Sequence, residues 1–203
     1  MKEPKNIVAV DPSYRGLGLV VYKSGQAKPL YLMKYVSQAK DIQSFGGAVQ
    51  ATSLLMRDVK QDLVSVLGPG HRETVFIIES PPSSKAFFSS GLFLLSGALS
   101  CMANQLGAEV FCCSCQLTKS VMGSRKTTKK QTVEYPKRFL NVNRIESNVS
   151  LVKDHNVCDA LIILAAFTYI NGFPVFNRFQ TLSKARFQKI NFKYEKDKKK
   201  TSK

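Results

Sequence analysis

The sequence is short of several residue types, and some of these shortages narrow what it can do. It has no tryptophan, only two histidines in 203 residues, and 14 acidic residues against 30 lysines and arginines. Three of its five cysteines crowd into FCCSCQ (Cys112, Cys113, Cys115), and no second cysteine pair or histidine pair follows at zinc-finger spacing. A structural zinc site is therefore not expected. The alternating run after AEV reads instead as buried strand, and free buried thiols suit a reducing, intracellular compartment. The start, MKEPKNIVAV, lacks the apolar core of a secretion signal, because only a strand-length apolar run follows Lys5. The longest apolar stretch, Ala86 to Ala103, is broken by Ser89, Ser90, Gly91, Ser96, Gly97 and Ser100. It reads as a core helix, not a membrane span, and no membrane partner is expected. There are no internal repeats.

The shortage of acid leaves a formal charge of +16 and a pI near 9.8, more than solubility requires. Such a surplus points to a polyanion, with nucleic acid ahead of an anionic membrane. A merely soluble basic protein is the plain alternative. With 44% hydrophobic residues the chain is globular, and its length fits one domain with a sizeable core and a tail.

NIVAVDPS predicts a central strand (Ile7 to Val10) with Asp11 at its end. GLGLVVYKSGQAKPLYLMKYV adds two strands, turned at Lys23-Ser24-Gly25. Apolar residues at helical spacing from about Gly47 to Leu67 predict a helix stopped by GPGH. TVFIIES (Thr74 to Ser80) reads as a fully buried strand ended by PP. The Ser/Gly-rich helix, the strand AEVFCCS, a basic loop and helix over Gln116 to Asn141, and a closing helix from about Asp154 to Ile170 complete the order. Three meandering strands followed by helical crossovers make an α/β, ribonuclease H-like mixed sheet flanked by helices. The folded ribonuclease H-like domain is expected over 1–175. The stretch 176–203, aromatic and basic by turns and then almost all charge, reads as a disordered or DNA-docking tail.

The closing helix, within VKDHNVCDALIILAAF, begins with Asp154, His155, Asn156 and Asp159, four polar groups on an otherwise apolar element. Asp154 is explained as the cap of free N–H groups. Asp159, more than a turn further in, is not. Asp11 and Glu79 also close apolar strands, and strand ends line the binding crevice of an open α/β sheet. Three such carboxylates make sense if they converge on divalent cations, as phosphodiester hydrolysis by two metal ions requires. Separate capping or pairing of each acid is the competing explanation.

Four stretches, in order and spanning about Ile7 to Tyr169, resemble RuvC-type Holliday junction resolvases of the ribonuclease H-like superfamily. IVAVDPSYRGLGLVVY is similar to that family's first strand, Asp-Pro-x-x-x-x-x-Gly and hairpin. FIIESPPSSKAFF resembles its strand ending in the catalytic Glu, with Lys six residues on. LTKSVMGSRKTTKKQTV resembles its basic Lys-x-x-x-Gly-x-Gly-x-x-x-Lys-x-Gln-Val segment, and NVCDALIILAAF its closing Asp/His-x-x-Asp-Ala-Leu helix.

The resemblance implies a homodimeric endonuclease that nicks branched DNA in pairs, using two Mg²⁺ or Mn²⁺ ions per site. Asp11, Glu79 and Asp159 match three of the family's metal-binding acids. The fourth position, usually Asp or His, is Asn156, which brings neither charge nor base; Asp154, His155 or Asn156 then completes the site, with His155 slightly favoured as a catalytic group. Lys119, Lys129 and Gln131 match the basic segment, whose second glycine is Arg125 here. With Lys126, Lys130 and Arg138 these residues make a patch suited to the DNA backbone. Lys85, Phe87 and Phe88 occupy the place of a residue that stacks into the opened junction, although the phenylalanines also suit a core helix.

Three rival functions stand beside this one. An actin-like ATPase lacks a second glycine-rich phosphate loop. A non-catalytic branched-DNA-binding protein of the same fold would account for Asn156. A nuclease of the same fold acting on other RNA or DNA has no distinguishing sequence mark.

Overall fold

Alternation along the strands divides the apolar residues of this chain between two cores. The structure is a computed structural model and describes residues 3–39, 41–68, 73–81, 86–123, 127–179 and 186–192. β1 (Asn6–Asp11), β2 (Leu17–Lys23) and β3 (Leu30–Tyr35) form an antiparallel meander. β4 (Thr74–Ser80) joins β1 in parallel, and β5 (Glu109–Ser114) joins β4 in parallel. A short β6 (Phe187–Lys189) runs antiparallel on β5, which gives the order β3-β2-β1-β4-β5-β6.

Ile7 and Ala9 of β1, Val75 and Ile77 of β4, and Phe111 and Cys113 of β5 share one core. Their neighbours Val8, Val10, Phe76, Ile78 and Val110 share the other. This is the two-residue period of a pleated strand. Helices α1 (Phe45–Leu67) and α2 (Ala86–Gln105) cover the second face; α5 (His155–Ile170) covers the first. Two short helices, α3 (Leu117–Val121) and α4 (Lys129–Glu134), lie against α5.

Each helix boundary has a local cause. α1 starts where the Ser44 hydroxyl accepts from the Gly47 N–H at 3.1 Å, and it ends at Gly68, whose φ of +59° favours glycine. Its buried residues, from Ala48 through Leu55 and Val59 to Leu63 and Leu67, recur every three or four positions. α4 opens on a capping box: Thr128 accepts from the Gln131 N–H, and the Gln131 side chain accepts from the Thr128 N–H. The Gln131 side chain, matched above to the basic segment, is thus engaged in holding that helix.

The predicted elements are present, with two differences. The basic stretch folds as two helices, α3 and α4, where one helix and a loop were expected. The segment read as a tail from residue 176 is partly built into the fold. Phe176 and Phe179 are buried against Phe139, with ring centroids 5.0 and 5.1 Å away, and Phe187 of β6 packs on Phe167 at 5.0 Å. These rings cover apolar surface on α5, and β6 pairs the open edge of β5, a burial that the interleaved lysines and arginines disguise in the sequence. Residues 193–203 lie outside the described residues. No helix among the described residues is long and apolar enough to cross a membrane.

Candidate active site

Register places the first two acids. Val10 of β1 pairs with Ile78 of β4, so Asp11 and Glu79 follow side by side at the same end of parallel strands. Both continue the series of residues that face α5. Gly18 lies across from Asp11 on β2, and Cys113 lies across from Glu79 on β5. The result is a row, Gly18–Asp11–Glu79–Cys113, running over four strands.

The third acid arrives because α5 presses on that row. A Cβ at Gly18 would stand 2.3 Å from the backbone of Asn156, so only glycine lets the first turn of α5 come this close. The Asn156 side-chain amide donates to the Gly16 carbonyl, fastening the same turn to the β1–β2 hairpin. Asp159, one turn on and half-buried, then faces Asp11 closely enough for the two charges to repel. The Thr118 hydroxyl of α3 donates to Asp159, and Lys119 beside it faces both Asp159 and Glu79.

These three carboxyls resist ionisation. Burial, then the neighbouring Glu79, raise Asp11 well above the usual carboxylate range. Glu79 is pushed up to about 7 by burial and by Asp159, against the opposing pull of its hydrogen bond with Asp11 and of Lys119. Asp159 is also raised to about 7, by burial and then by Asp11. Buried side by side, Asp11 and Glu79 titrate as a pair, and losing the pair's last proton is disfavoured by burial and by their mutual repulsion. Among the described residues, no three His, Cys, Asp or Glu side chains stand in ion-holding geometry.

The other polar groups on α5 have separate partners. Asp154 caps the helix, accepting from the N–H groups of Asn156 at 3.0 Å and Val157 at 3.3 Å. It also pairs with Lys34 of β3 at 2.5 Å, and these bonds hold its carboxyl below the usual range despite burial. Burial and the nearby Lys129 and Lys34 keep the His155 imidazole below its ordinary pKa, with Asp154 opposing them.

Of the expected DNA-contacting residues, Lys119 stands against the carboxylates and Lys129 beside His155. Lys130 is exposed on α4, and the Arg138 guanidinium lies 5.3 Å from the Tyr135 ring centroid. Lys85, Arg125 and Lys126 lie outside the described residues; Phe87 and Phe88 start α2, with side chains outside the described set. Sequence reasoning did not single out Lys34, Thr118 or Gly16, and it took in Gly18 only as the glycine of the Asp-Pro-x-x-x-x-x-Gly resemblance. The two glycines left a readable trace, because RGLGL puts glycine inside a strand, a mark of close backbone approach. Lys34 and Thr118 left none.

No protein-family model matches the sequence, and no curated protein matches it. Solved structures do. The Thermus thermophilus RuvC structure superimposes with a TM-score of 0.51 at 15% identity, over 84% of this chain and 99% of that one. T. thermophilus RuvC in complex with a Holliday junction substrate gives 0.53 at 16% identity, over 85% and 99%. The yeast mitochondrial Holliday junction resolvase Ydc2 gives 0.50 at 12% identity, over 77% and 76%. The chain has the RuvC-type resolvase fold. Within it, the four stretches that carry the sequence resemblance fall on β1–β2, on β4 and the start of α2, on α3–α4 and on α5. The described parts of these stretches supply Asp11, Glu79, Thr118, Lys119 and Asp159.

Proposed function

We propose that this protein is a metal-dependent endonuclease that resolves four-way DNA junctions by paired nicks, acting as a homodimer. The observation that carries this reading is the convergence of Asp11, Glu79 and Asp159 from three distant segments. Asp11 and Glu79 stand side by side at the carboxyl ends of parallel strands and Asp159 faces them from α5, each carboxyl holding its proton more tightly than an isolated acid. When ionised, three closely grouped carboxyls opposed chiefly by Lys119 leave negative charge unbalanced. The donor set is all oxygen and short of positive charge, which fits Mg²⁺ or Mn²⁺.

Asp11, Glu79 and Asp159 would hold the ions, which when bound would lower the pKa of water and neutralise charge on the leaving oxygen. The protein's own groups do the rest. Lys119 sets the charge at the Glu79–Asp159 side. Thr118 fixes the Asp159 carboxyl through a hydrogen bond. Lys34, by pairing with Asp154, fixes the start of α5 and so the depth of Asp159. Asp154 and Asn156 are engaged by the helix cap and by Gly16, which leaves His155, one turn before Asp159, as the group to complete the site or accept a proton from water. Lys119, Lys129 and Lys130 lead the DNA backbone along α3 and α4 to the carboxylates.

The junction-bound RuvC structure supports branched DNA as the substrate, and the need for two symmetric nicks supports two copies. A direct test is cleavage of labelled four-way, forked and linear DNA with Mg²⁺ or Mn²⁺, alongside Asp11→Asn. Paired nicks confined to the junction and lost in Asp11→Asn are the expected result. Tight junction binding without cleavage in either metal would instead favour a non-catalytic branched-DNA-binding protein, the reading that Asn156 at the fourth position keeps in play.

A further inference from the structure

The chain leaving Asp11 is pinned from both sides of the sheet. Pro12 to Gly16 join β1 to β2. On the α5 side, the Gly16 carbonyl accepts from the Asn156 amide. At the edge, the Tyr14 carbonyl accepts from the Ser37 N–H at 2.9 Å, just past the end of β3. On the opposite side the Tyr14 ring enters the core under α1 and α2, where the residue is only 7% exposed.

A tyrosine hydroxyl buried this deeply needs partners. Tyr14 finds one on each helix. Its oxygen lies 2.8 Å from the Gly91 carbonyl of α2 and 2.7 Å from the Thr52 hydroxyl of α1. Each hydroxyl has one hydrogen, and a carbonyl only accepts. Tyr14 therefore donates to Gly91, and its contact with Thr52 requires Thr52 to donate to Tyr14. The approach is close because residue 91 is glycine: a Cβ there would stand 3.2 Å from the Tyr14 ring. α2 follows β4, so this relay joins the segment that leaves Asp11 to the segment that leaves Glu79. It does so on the side of the sheet away from the carboxylates, and α2 begins with the stretch that the resolvase resemblance sets against opened junctions.

We propose that Tyr14 is a positioning residue of the nuclease site: its hydroxyl fixes the start of α2 against the loop that follows Asp11, so that DNA lying along α2 reaches the carboxylates in register. The inference rests on the proposed function and adds a residue outside its carboxylates and lysines. A phenylalanine ring would fill the same space. The hydroxyl adds direction, because it fastens one carbonyl of α2 and so sets the height and rotation of that helix. Removing it strands no hydroxyl, since Thr52 then donates to the Ala48 carbonyl 2.8 Å away. The tie is lost and the fold is kept.

The test compares Tyr14→Phe with Thr52→Val in the full-length protein; the second variant removes the outer bond of the relay and keeps the one to Gly91. In the free protein, hydrogen exchange over the first turns of α2 should rise by roughly three- to tenfold in Tyr14→Phe, the worth of one hydrogen bond, and stay at the wild-type level in Thr52→Val. Single-turnover cleavage of a four-way junction in Mg²⁺ should slow by a similar factor in Tyr14→Phe, while junction affinity in Ca²⁺ stays within about twofold of wild type. Thr52→Val should cleave like wild type even where its melting temperature falls as far. Unchanged exchange in Tyr14→Phe overturns the tie. Equal slowing by both variants, or slowing that merely follows the melting temperature, makes Tyr14 a packing residue and overturns its positioning role. A wild-type protein that never cleaves DNA overturns the nuclease reading, and exchange over α2 then decides the tie by itself.

Discussion

α2 and α5 look alike as sequences and behave differently as structure. Both are long, mostly apolar helices lying on the sheet. α5 is buried on nearly all sides, from Val157 through Phe167, by the sheet, by α3 and α4, and by the rings of Phe173, Phe176 and Phe187. α2 buries one stripe, Leu95, Leu99, Met102 and Ala103, and leaves Phe93 and Gly97 in the open. A helix that is apolar all round is normally buried all round. α5 meets that condition within the chain; α2, among the described residues, does not. The polar residues sharpen the contrast. Those on α5 gather at its first turns and meet carboxylates, a cap and a hairpin, whereas α2 has no charge to place.

The strongest way to test the α5 side is to remove a carboxyl from the row it covers. Asp11→Asn keeps the shape of the side chain and removes the charge that a cation needs. Cation stabilisation is worth several kcal/mol, and about 1.4 kcal/mol is tenfold in rate, so junction cleavage should fall by about a thousandfold or more. Junction affinity, measured by mobility shift in Ca²⁺, should stay within a few-fold of wild type. A variant that cleaves normally would mean that the Asp11–Glu79 pair is structural.

A second comparison sets one phenylalanine from each helix side by side. Phe167 is fully buried and touches the Phe111, Phe173 and Phe187 rings, so Phe167→Ala should cost about 3–5 kcal/mol in chemical denaturation. Phe93 is half exposed, and Phe93→Ala should cost a monomer less than about 0.5 kcal/mol. Equal losses would show that α2 is already buried by its own chain.

The carboxyls also predict how pH and metal interact. Glu79 and Asp159 are raised to about 7, while the same groups in the unfolded chain titrate near 4. The folded state therefore binds more protons between these values. Without metal, stability should fall as pH rises from about 4.5 through 7 and level off above it. Mg²⁺ should reverse that loss where the acids are ionised. Thermal unfolding at pH 8 should shift upward by several °C with Mg²⁺, at about 2–4 °C per kcal/mol for a chain of this size, with little shift at pH 5. Asp159→Asn should flatten both responses. An equal shift at both pH values would separate metal binding from these acids.

Much of this arrangement was legible in the sequence, and the illegible part has physical reasons. The apolar runs gave β1 to β5 and put Asp11 and Glu79 at strand ends; that the two stand side by side on one face needed the register of β1 on β4. The depth of Asp159 in an apolar helix marked it as needing a partner. β6 was missed because three residues among lysines and arginines carry no strand signal until an open edge receives them. Phe176 and Phe179 were read as tail because their burial depends on Phe139, far away in sequence. Lys34 was invisible for the same reason: its partner Asp154 lies on an element 120 positions later.

Glycine offers the finest comparison of the two sides. Gly18 has no room for a side chain, since a Cβ there would meet the Asn156 backbone at 2.3 Å, whereas Gly97 faces open space. Gly18→Ala should push the first turn of α5 off the sheet, costing about 1–3 kcal/mol of stability and moving Asp159 away from Asp11, so cleavage should fall more than stability explains. Gly97→Ala should leave a monomer unharmed, or stabilise α2 by about 0.5–1 kcal/mol. A methyl group at that point changes only what approaches from outside. A melting temperature raised by Gly97→Ala and lowered by Gly18→Ala would show that the two glycines differ in what they face and not in helix or strand propensity; equal losses would mean that α2 is packed at Gly97 as tightly as β2 is at Gly18.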